Sequence, residues 1–157
     1  MTHDYKRHGT ASLFAALEVA SGKVHGRCFK HHTHVEFIAF LESLAKRYSK
    51  LELHFICDNY GNHKHPAAVK QWLTAHPRFH LHFTPTSASW LNLVERWFAL
   101  ITSQAIRCAS FNSVRRLGQA IARFLADWND HTQPFRWTKP AHQIKRSIRN
   151  AALIYET

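Results

Sequence analysis

Cysteine is scarce in this chain of 157 residues, and the three that occur, Cys28, Cys57 and Cys108, lie far apart. None belongs to a C-x-x-C pair, so the pattern excludes a disulfide-rich secreted scaffold and a finger-like zinc fold. Such sparse use of cysteine is typical of proteins in a reducing compartment. We therefore expect a cytoplasmic protein.

Long apolar runs and linkers are also missing. No stretch reaches the roughly 18 uninterrupted apolar residues of a membrane span, and the polar start at Met1–Arg7 predicts no secretory signal. With only five Gly and five Pro, no linker divides the chain, while 45% hydrophobic and 13% aromatic residues suffice for a buried core. We expect residues 1–157 to form a single domain with no membrane partner.

Acidic residues are in the minority. Ten Asp and Glu stand against 21 Lys and Arg, which gives a formal net charge of +11. The excess is strongest in residues 100–157, with nine basic residues and three acidic ones. A polyanion is the natural partner of such a surface, and nucleic acid is favoured over anionic lipid. A basic surface without a specific partner is the plainer alternative.

Hydrophobic periodicity predicts an α/β domain with elements in the order β-β-α-β-α-β-α-α-α. Two strands joined by a turn at Ser21-Gly22 come first, and a helix with Thr33 as its N-cap follows. The predicted strands are 11–20, 23–30, 51–57 and 79–83, and the later helices are 67–75, about 89–101, 113–129 and 140–152. A hairpin followed by alternating helices and strands indicates a mixed sheet with helices on its faces.

Two acidic residues stand at positions suited to metal chemistry. Asp58 directly follows a short apolar strand, where open α/β sheets gather ligands, although Asp58-Asn59 would also serve as an ordinary turn. Glu95 borders the apolar face of its helix, which we expect to be centred on Val94 and Ile101; a solvated surface Glu is the alternative. Carboxylates from a strand end and a helix can share Mg²⁺ ions, and two ions about 4 Å apart can drive phosphodiester cleavage.

Fourteen histidines include two clusters, at residues 31–34 and 63–65, that raise the question of zinc. No Cys or His partner lies at a finger-like spacing from either cluster, so a structural zinc site is not favoured. His63 and Lys64 follow the loop that begins at Asp58. Phosphate contact or proton transfer is therefore the preferred interpretation of the second cluster.

Four stretches of the chain form a long and specific pattern: HDYKRHGT (3–10), DNYGNHK (58–64), FTPTSASWLNLVERWF (83–98) and PFRWTKPAHQI (134–144). This pattern resembles transposases of bacterial insertion sequences in the mariner-like group, which are DDE superfamily endonucleases. The resemblance covers essentially the whole chain, and the 36 residues between Asp58 and Glu95 are close to the spacing typical of the group. It implies the RNase H-like fold and an Asp-Asp-Glu/Asp triad that holds two Mg²⁺ or Mn²⁺ ions.

Position by position, the resemblance makes Asp58 the second carboxylate of the triad and Glu95 the third, both catalytic and both metal-binding. Asn59, His63 and Asn92 match residues that recur around the triad, and they are expected to support the site. In the family, the metal-bound site nicks DNA at the ends of the element, and the freed 3′-hydroxyl attacks target DNA. The implied partners are transposon-end and target DNA, at the nucleoid of a bacterial cytoplasm.

Two parts of the family pattern have no counterpart in this sequence. The first triad Asp, on the first and central strand of the sheet, would precede the block at residues 3–10, as would the helix-turn-helix region that binds the ends. Neither Asp4 nor Glu18, which we place in a strand, has motif support as a replacement. The resemblance thus predicts an RNase H-like mixed sheet that lacks its central strand and exposes two edges.

These departures lead to two functional hypotheses. In the first, the chain is a transposase catalytic-domain fragment that is inactive alone because the first Asp is missing. In the second, it is a non-catalytic basic fragment that binds nucleic acid or pairs through its sheet edges with another protein. A second copy of the chain and a full-length transposase are the expected protein partners in the second case.

Overall fold

The computed structural model describes residues 10–57, 67–84, 93–107 and 109–134. The strands are β1 (Ser12–Leu17), β2 (Val24–Phe29), β3 (Leu53–Cys57) and β4 (Phe79–Phe83). The helices are α1 (His34–Arg47), α2 (Ala67–Ala75), α3 (Leu93–Ile101) and α4 (Val114–Asp130), and α3 continues into a π-helical segment at Thr102–Ile106. The predicted bounds of α2 and β4 are confirmed, while β1 and β2 are shorter than predicted. The start of α3 near residue 89 and the helix expected over 140–152 lie outside the described residues.

β1 and β2 form the predicted antiparallel hairpin, in register from Ser12↔Phe29 to Leu17↔Val24. The turn requires Gly22, whose φ of 76° lies in the left-handed region. A Cβ at this position would also lie 2.1 Å from the carbonyl oxygen of Gln133. The glycine therefore serves both the turn and the close approach of the chain that follows α4.

β3 and β4 pair in parallel, from Leu53↔Phe79 to Cys57↔Phe83, and α2 lies between them in sequence. The single mixed sheet predicted from the sequence is not what the described residues show: they form two separate two-stranded sheets, β1-β2 and β3-β4. Each of the four strands therefore has one edge without a described strand partner. This division matches the expectation that a strand is missing from the centre of the sheet.

Helix α1 joins the two sheets through a shared core. It begins at a capping box, in which Thr33 accepts a hydrogen bond from Val35 N at 3.2 Å and the Glu36 carboxylate accepts one from Thr33 N at 3.0 Å. The hydroxyl of Thr33 also donates to Glu36, which lowers the pKa of that carboxyl. The buried residues of this first core come from α1, both sheets and α2: Phe14, Phe37, Phe40, Leu41, Leu44, Val69, Trp72 and Phe79.

A second core covers the opposite face of the β1-β2 sheet. It consists of Val24 from β2, Trp97 and Ile101 from α3, and Ile121 from α4. The end of α4 is fastened to the hairpin by Trp128, whose indole donates to Gly22 O at 3.0 Å. Asn129 accepts from Val24 N at 2.7 Å and donates to Val24 O at 2.9 Å. Its amide thus satisfies the backbone N–H and C=O of Val24 at the edge of β2, as a neighbouring strand would.

Candidate active site

Glu95 lies on the first turn of α3 and is exposed to solvent. The helix is anchored by Trp97 and Ile101, which are 2% and 1% exposed, so the burial of Ile101 is confirmed. Val94, the other residue predicted at the centre of the apolar face, is half-buried, whereas Trp97 is fully buried because its indole removes more apolar surface from water than a valine does. Glu95 itself is exposed and lies roughly 120–160° around the helix from these two residues, so it is on the solvent side and the predicted border position is not confirmed.

The surroundings of Glu95 are open and combine polar side chains with Phe98 and Ala99. Together with Thr102, Ser103 and Arg107 it lines a shallow depression of about 340 Å³. The Thr102 hydroxyl is committed to the helix, since it donates to Phe98 O at 2.7 Å. Among the described residues, no hydrogen-bond or ion-pair partner engages the Glu95 carboxylate. A free carboxylate is the type of donor that Mg²⁺ prefers, so this residue fits the metal implied by the resemblance.

Asp58, Asn59, His63 and Asn92 lie outside the described residues, so their assignments to the site stay predictions. What the structure describes is the strand that leads to Asp58. β3 ends at Cys57, whose carbonyl accepts a hydrogen bond from the buried Thr84 at 2.8 Å. The strand that precedes one predicted metal ligand is therefore held firmly against its neighbour.

Glu18, considered as a replacement carboxylate, has a different role. It follows β1 instead of lying within the strand, which corrects the prediction, because the chain turns there. Its carboxylate accepts hydrogen bonds from Ser21 Oγ at 2.6 Å and from Tyr48 Oη at 3.5 Å. Its backbone closes the hairpin turn with Gly22 and Lys23. Glu18 thus stabilises the turn.

Sequence reasoning missed one group of chemistry-bearing residues. Glu52, His54 and His80 bring potential ligand atoms within 4.8 Å of one another on the β3-β4 sheet, and His82 lies beside them. The signal was available in the short patterns Glu-Leu-His and His-Leu-His, since residues two apart on a strand share a face. Which strands pair, and in what register, could not be deduced from these patterns. Three of these four ligands are imidazoles, so they do not fit a magnesium site.

The comparisons with known proteins now decide the family. A model of the DDE superfamily endonuclease family matches residues 2–118, a segment that includes both Asp58 and Glu95. The chain belongs to this family. DDE superfamily enzymes generally use divalent metal ions. No curated protein matches the chain.

A solved structure supports the fold. The chain is similar to a chain in the cryo-EM structure of the simian T-cell lymphotropic virus intasome in complex with PP2A regulatory subunit B56 gamma, with a TM-score of 0.59 and 17% identity. The match covers 79% of this chain and 44% of that chain, so this DDE superfamily member spans less than half of the length of the chain it matches. The expected RNase H-like α/β fold is confirmed. None of the described helices has the length and apolar character needed to cross a membrane.

Proposed function

We propose that this chain is the catalytic part of a transposase of the mariner-like group, from a bacterial insertion sequence, acting in DNA strand cleavage and transfer. The observation that carries the proposal is the family match, because residues 2–118 include both predicted carboxylates at the characteristic spacing. The RNase H-like fold and the exposed carboxylate of Glu95 support it. The DNA partner would place the protein at the nucleoid.

Asp58 and Glu95 would hold the Mg²⁺ or Mn²⁺ ions, which when bound activate the attacking oxygen and stabilise the leaving oxygen of the phosphodiester. The two residues would contribute from different elements, one after β3 and the other on α3. The buried Trp97 fixes the helix, so that the Glu95 carboxylate keeps its place. Asn59, His63 and Asn92 would position these carboxylates and contact phosphate.

The amino-terminal end of α4 supports DNA as the partner. Arg115 and Arg116 are exposed in its first turn, which contains no acidic residue. Cations at a helix N-terminus oppose the macrodipole and are locally unfavourable, by about 0.3–1 kcal/mol each. Their presence is better explained by an external anion than by helix stability. We propose that this end of α4 contacts DNA phosphates.

We further propose that the chain alone is inactive, because two carboxylates supply too few ligands for two ions. The third carboxylate would come from a strand that inserts between the β1-β2 and β3-β4 sheets. The division of the described strands into two sheets supports this proposal. The second candidate function rests on the same observation: an unpaired inner edge can accept a strand from another chain, here a second copy or a full-length transposase.

A nicking assay on supercoiled plasmid tests the catalytic proposal. The chain is compared, with Mg²⁺ and with Mn²⁺, to a version extended at its amino terminus through the upstream reading frame. We expect nicking only by the extended protein, and its loss in Asp58→Ala and in Glu95→Ala. Glu42→Gln, an exposed acid on α1, serves as the matched control and should nick normally. Nicking that survives both active-site substitutions would contradict the assignment.

DNA binding is measured separately by fluorescence anisotropy over a range of salt. The double variant Arg115→Gln/Arg116→Gln should reduce the slope of log affinity against log salt by about 2, since each phosphate contact contributes about 0.9. Lys50→Gln, an exposed cation outside α4, should leave the slope unchanged. Salt-dependent binding by both versions without any nicking would favour the non-catalytic candidate.

A further inference from the structure

One face of the β3-β4 sheet carries a cluster of metal-binding side chains that the proposed reaction does not use. Its members are Glu52, His54, His80 and His82, called here the histidine cluster. Glu52 and His54 are exposed, as is His82, whereas His80 is half-buried. The cluster lies on the opposite face of the sheet from Leu53, Phe55 and Leu81, which pack against the first core.

The side chains of the cluster are already close together. His80 Nε2 lies 2.9 Å from the Glu52 carboxylate, and His54 Nδ1 lies 3.0 Å from His82 Nε2. The His54 ring stacks between the other two, with ring centroids 4.6 Å from His80 and 5.3 Å from His82. Ligands of a tetrahedral zinc ion are roughly 3.4 Å apart, so only small side-chain movements are needed to receive one.

The backbone accounts for this proximity. The parallel register sets His54 opposite His80, and alternate residues put Glu52 and His82 on the same face. The hydrogen bond from Leu53 N to Arg78 O, at 2.8 Å, fixes the register next to the cluster. The potential ligands are therefore carried by paired strands, which hold positions more precisely than loops do.

We propose that Glu52, His54 and His80 form a binding site for a zinc-class transition-metal ion, with His82 holding the His54 ring through their hydrogen bond. Imidazole nitrogen and a single carboxylate suit Zn²⁺, Cu²⁺ or Ni²⁺, whereas Mg²⁺ prefers oxygen ligands. The site is thus separate in chemistry from the Asp58 and Glu95 site. Two histidines and a glutamate leave a fourth position for water.

The ion would cross-link the β3-β4 sheet. It would tie Glu52 and His54 to His80, which follows them by 28 and 26 residues in the chain. A ligand that binds the folded state alone stabilises it by mass action, so the metal should raise the melting temperature of the protein. The strand tightened in this way is β3, which ends one residue before Asp58.

Calorimetric titration of the untagged full chain with ZnCl₂, after removal of metals with a chelator, tests the site. We expect one ion per chain, unaffected by millimolar Mg²⁺. Glu52→Gln, His54→Ala and His80→Ala should each weaken binding by more than about 100-fold, since even loss of an outer partner typically costs 10- to 100-fold. His82→Ala should weaken it by about 10- to 100-fold, as expected for such a partner.

The matched control is His131→Ala, which removes an exposed histidine beside one carboxylate, Asp127, at 3.8 Å. It should bind zinc as the unmodified chain does. Circular dichroism of each variant, including the milder substitution His54→Gln, distinguishes a loss of zinc affinity from a loss of fold. Absence of zinc binding, or binding that the cluster substitutions leave intact, would overturn the proposal. Neither result depends on DNA cleavage, so the site fails or stands separately from the proposed function.

Discussion

The two small sheets differ in how they are covered. Among the described residues, the β1-β2 sheet has a core on each face: α1 packs on one, and α3 and α4 pack on the other. Within the described part of the chain, the β3-β4 sheet packs on one face, against α1 and α2. Its other face presents the histidine cluster and Ile56, which is 60% exposed.

This difference separates a sheet that mainly stabilises the fold, β1-β2, from a sheet that also carries metal-binding side chains, β3-β4. A sheet covered on both faces has few positions free for polar side chains, and the inward residues of β1 and β2 are mostly apolar, with His25 against Phe40 as the polar exception. In a sheet covered on one face the burial of successive residues alternates, as it does in β3, where Leu53 and Phe55 are half-buried while His54 and the apolar Ile56 are exposed. The metal-binding groups thus gather where packing does not exclude them. Substitutions on the two sheets should therefore have different consequences.

The largest effect should follow the loss of Trp97, which anchors the second core. Trp97→Ala empties a site that is 2% exposed, and we expect a loss of about 3–5 kcal/mol in the free energy of unfolding. Urea denaturation followed by circular dichroism measures it. Leu100→Ala, on the same helix but 36% exposed, is the control and should cost about 1 kcal/mol or less. Equal losses would show that α3 does not pack on β1-β2 as described.

Arg78 should be the next most sensitive position, because it joins the start of β4 to the end of α1. Its guanidinium donates to the carbonyls of Ala45 at 2.8 Å and Leu51 at 3.0 Å, and also to Tyr48 O. These carbonyls belong to or follow the last turn of α1, where no amide of the helix can reach them. Arg78→Ala should lower the free energy of unfolding by about 2–3 kcal/mol.

Arg78→Lys is the informative companion variant. A single ammonium group cannot span three carbonyls as the planar guanidinium does, so most of the loss should persist. Recovery to the stability of the unmodified chain would show that charge alone matters at this position. The same denaturation experiment serves both variants.

Local patterns in the sequence were sufficient for most of the elements. The capping residue Thr33, the bounds of α2 and β4, and the Ser21-Gly22 turn are all encoded by neighbours within a few residues, and all are confirmed. Long-range pairing is different. The division into two sheets depends on strands far apart in sequence, and periodicity does not report which of them pair.

The candidate site shows the same limit. Helical spacing correctly predicts the burial of Ile101, but Trp97 is more deeply buried than Val94, and Glu95 lies on the solvent side of the helix instead of at the border. The histidine cluster was missed because its members meet only after β3 and β4 pair in register. The apolar residues around Phe55 correctly predict a strand, but alternate residues of β3 are exposed. Whether helices cover one or both faces of a sheet cannot be deduced from the sequence of a single strand.

A smaller, pH-dependent effect should come from His25, on the covered sheet. Burial, together with the nearby Arg47 and Arg27, lowers the pKa of His25 below its ordinary value of 6.5. Its Nε2 lies 3.0 Å from Ser43 Oγ. Below about pH 6.5 the unfolded chain takes up a proton that the folded ring resists, so stability should fall as the pH decreases through this range.

His25→Gln removes this titration and should flatten the lower end of the curve. The measurement is the urea midpoint of both proteins at pH 7.5, 6.5 and 5.5, with the difference between them compared across pH. His131→Gln, an exposed histidine, should retain the slope of the unmodified chain. A constant difference between His25→Gln and the unmodified protein would contradict the prediction.

The smallest effect should come from the uncovered face of the β3-β4 sheet. Ile56→Thr keeps a β-branched side chain that suits a strand, and the position is 60% exposed, so the free energy of unfolding should change by less than about 0.5 kcal/mol. Phe55→Ala, one residue earlier but on the face packed against the first core, should cost several-fold more. A large loss in Ile56→Thr would mean that another part of the chain or a partner covers this face. In that case the histidine cluster would be an interior feature of the assembly, and the contrast between the two sheets would disappear.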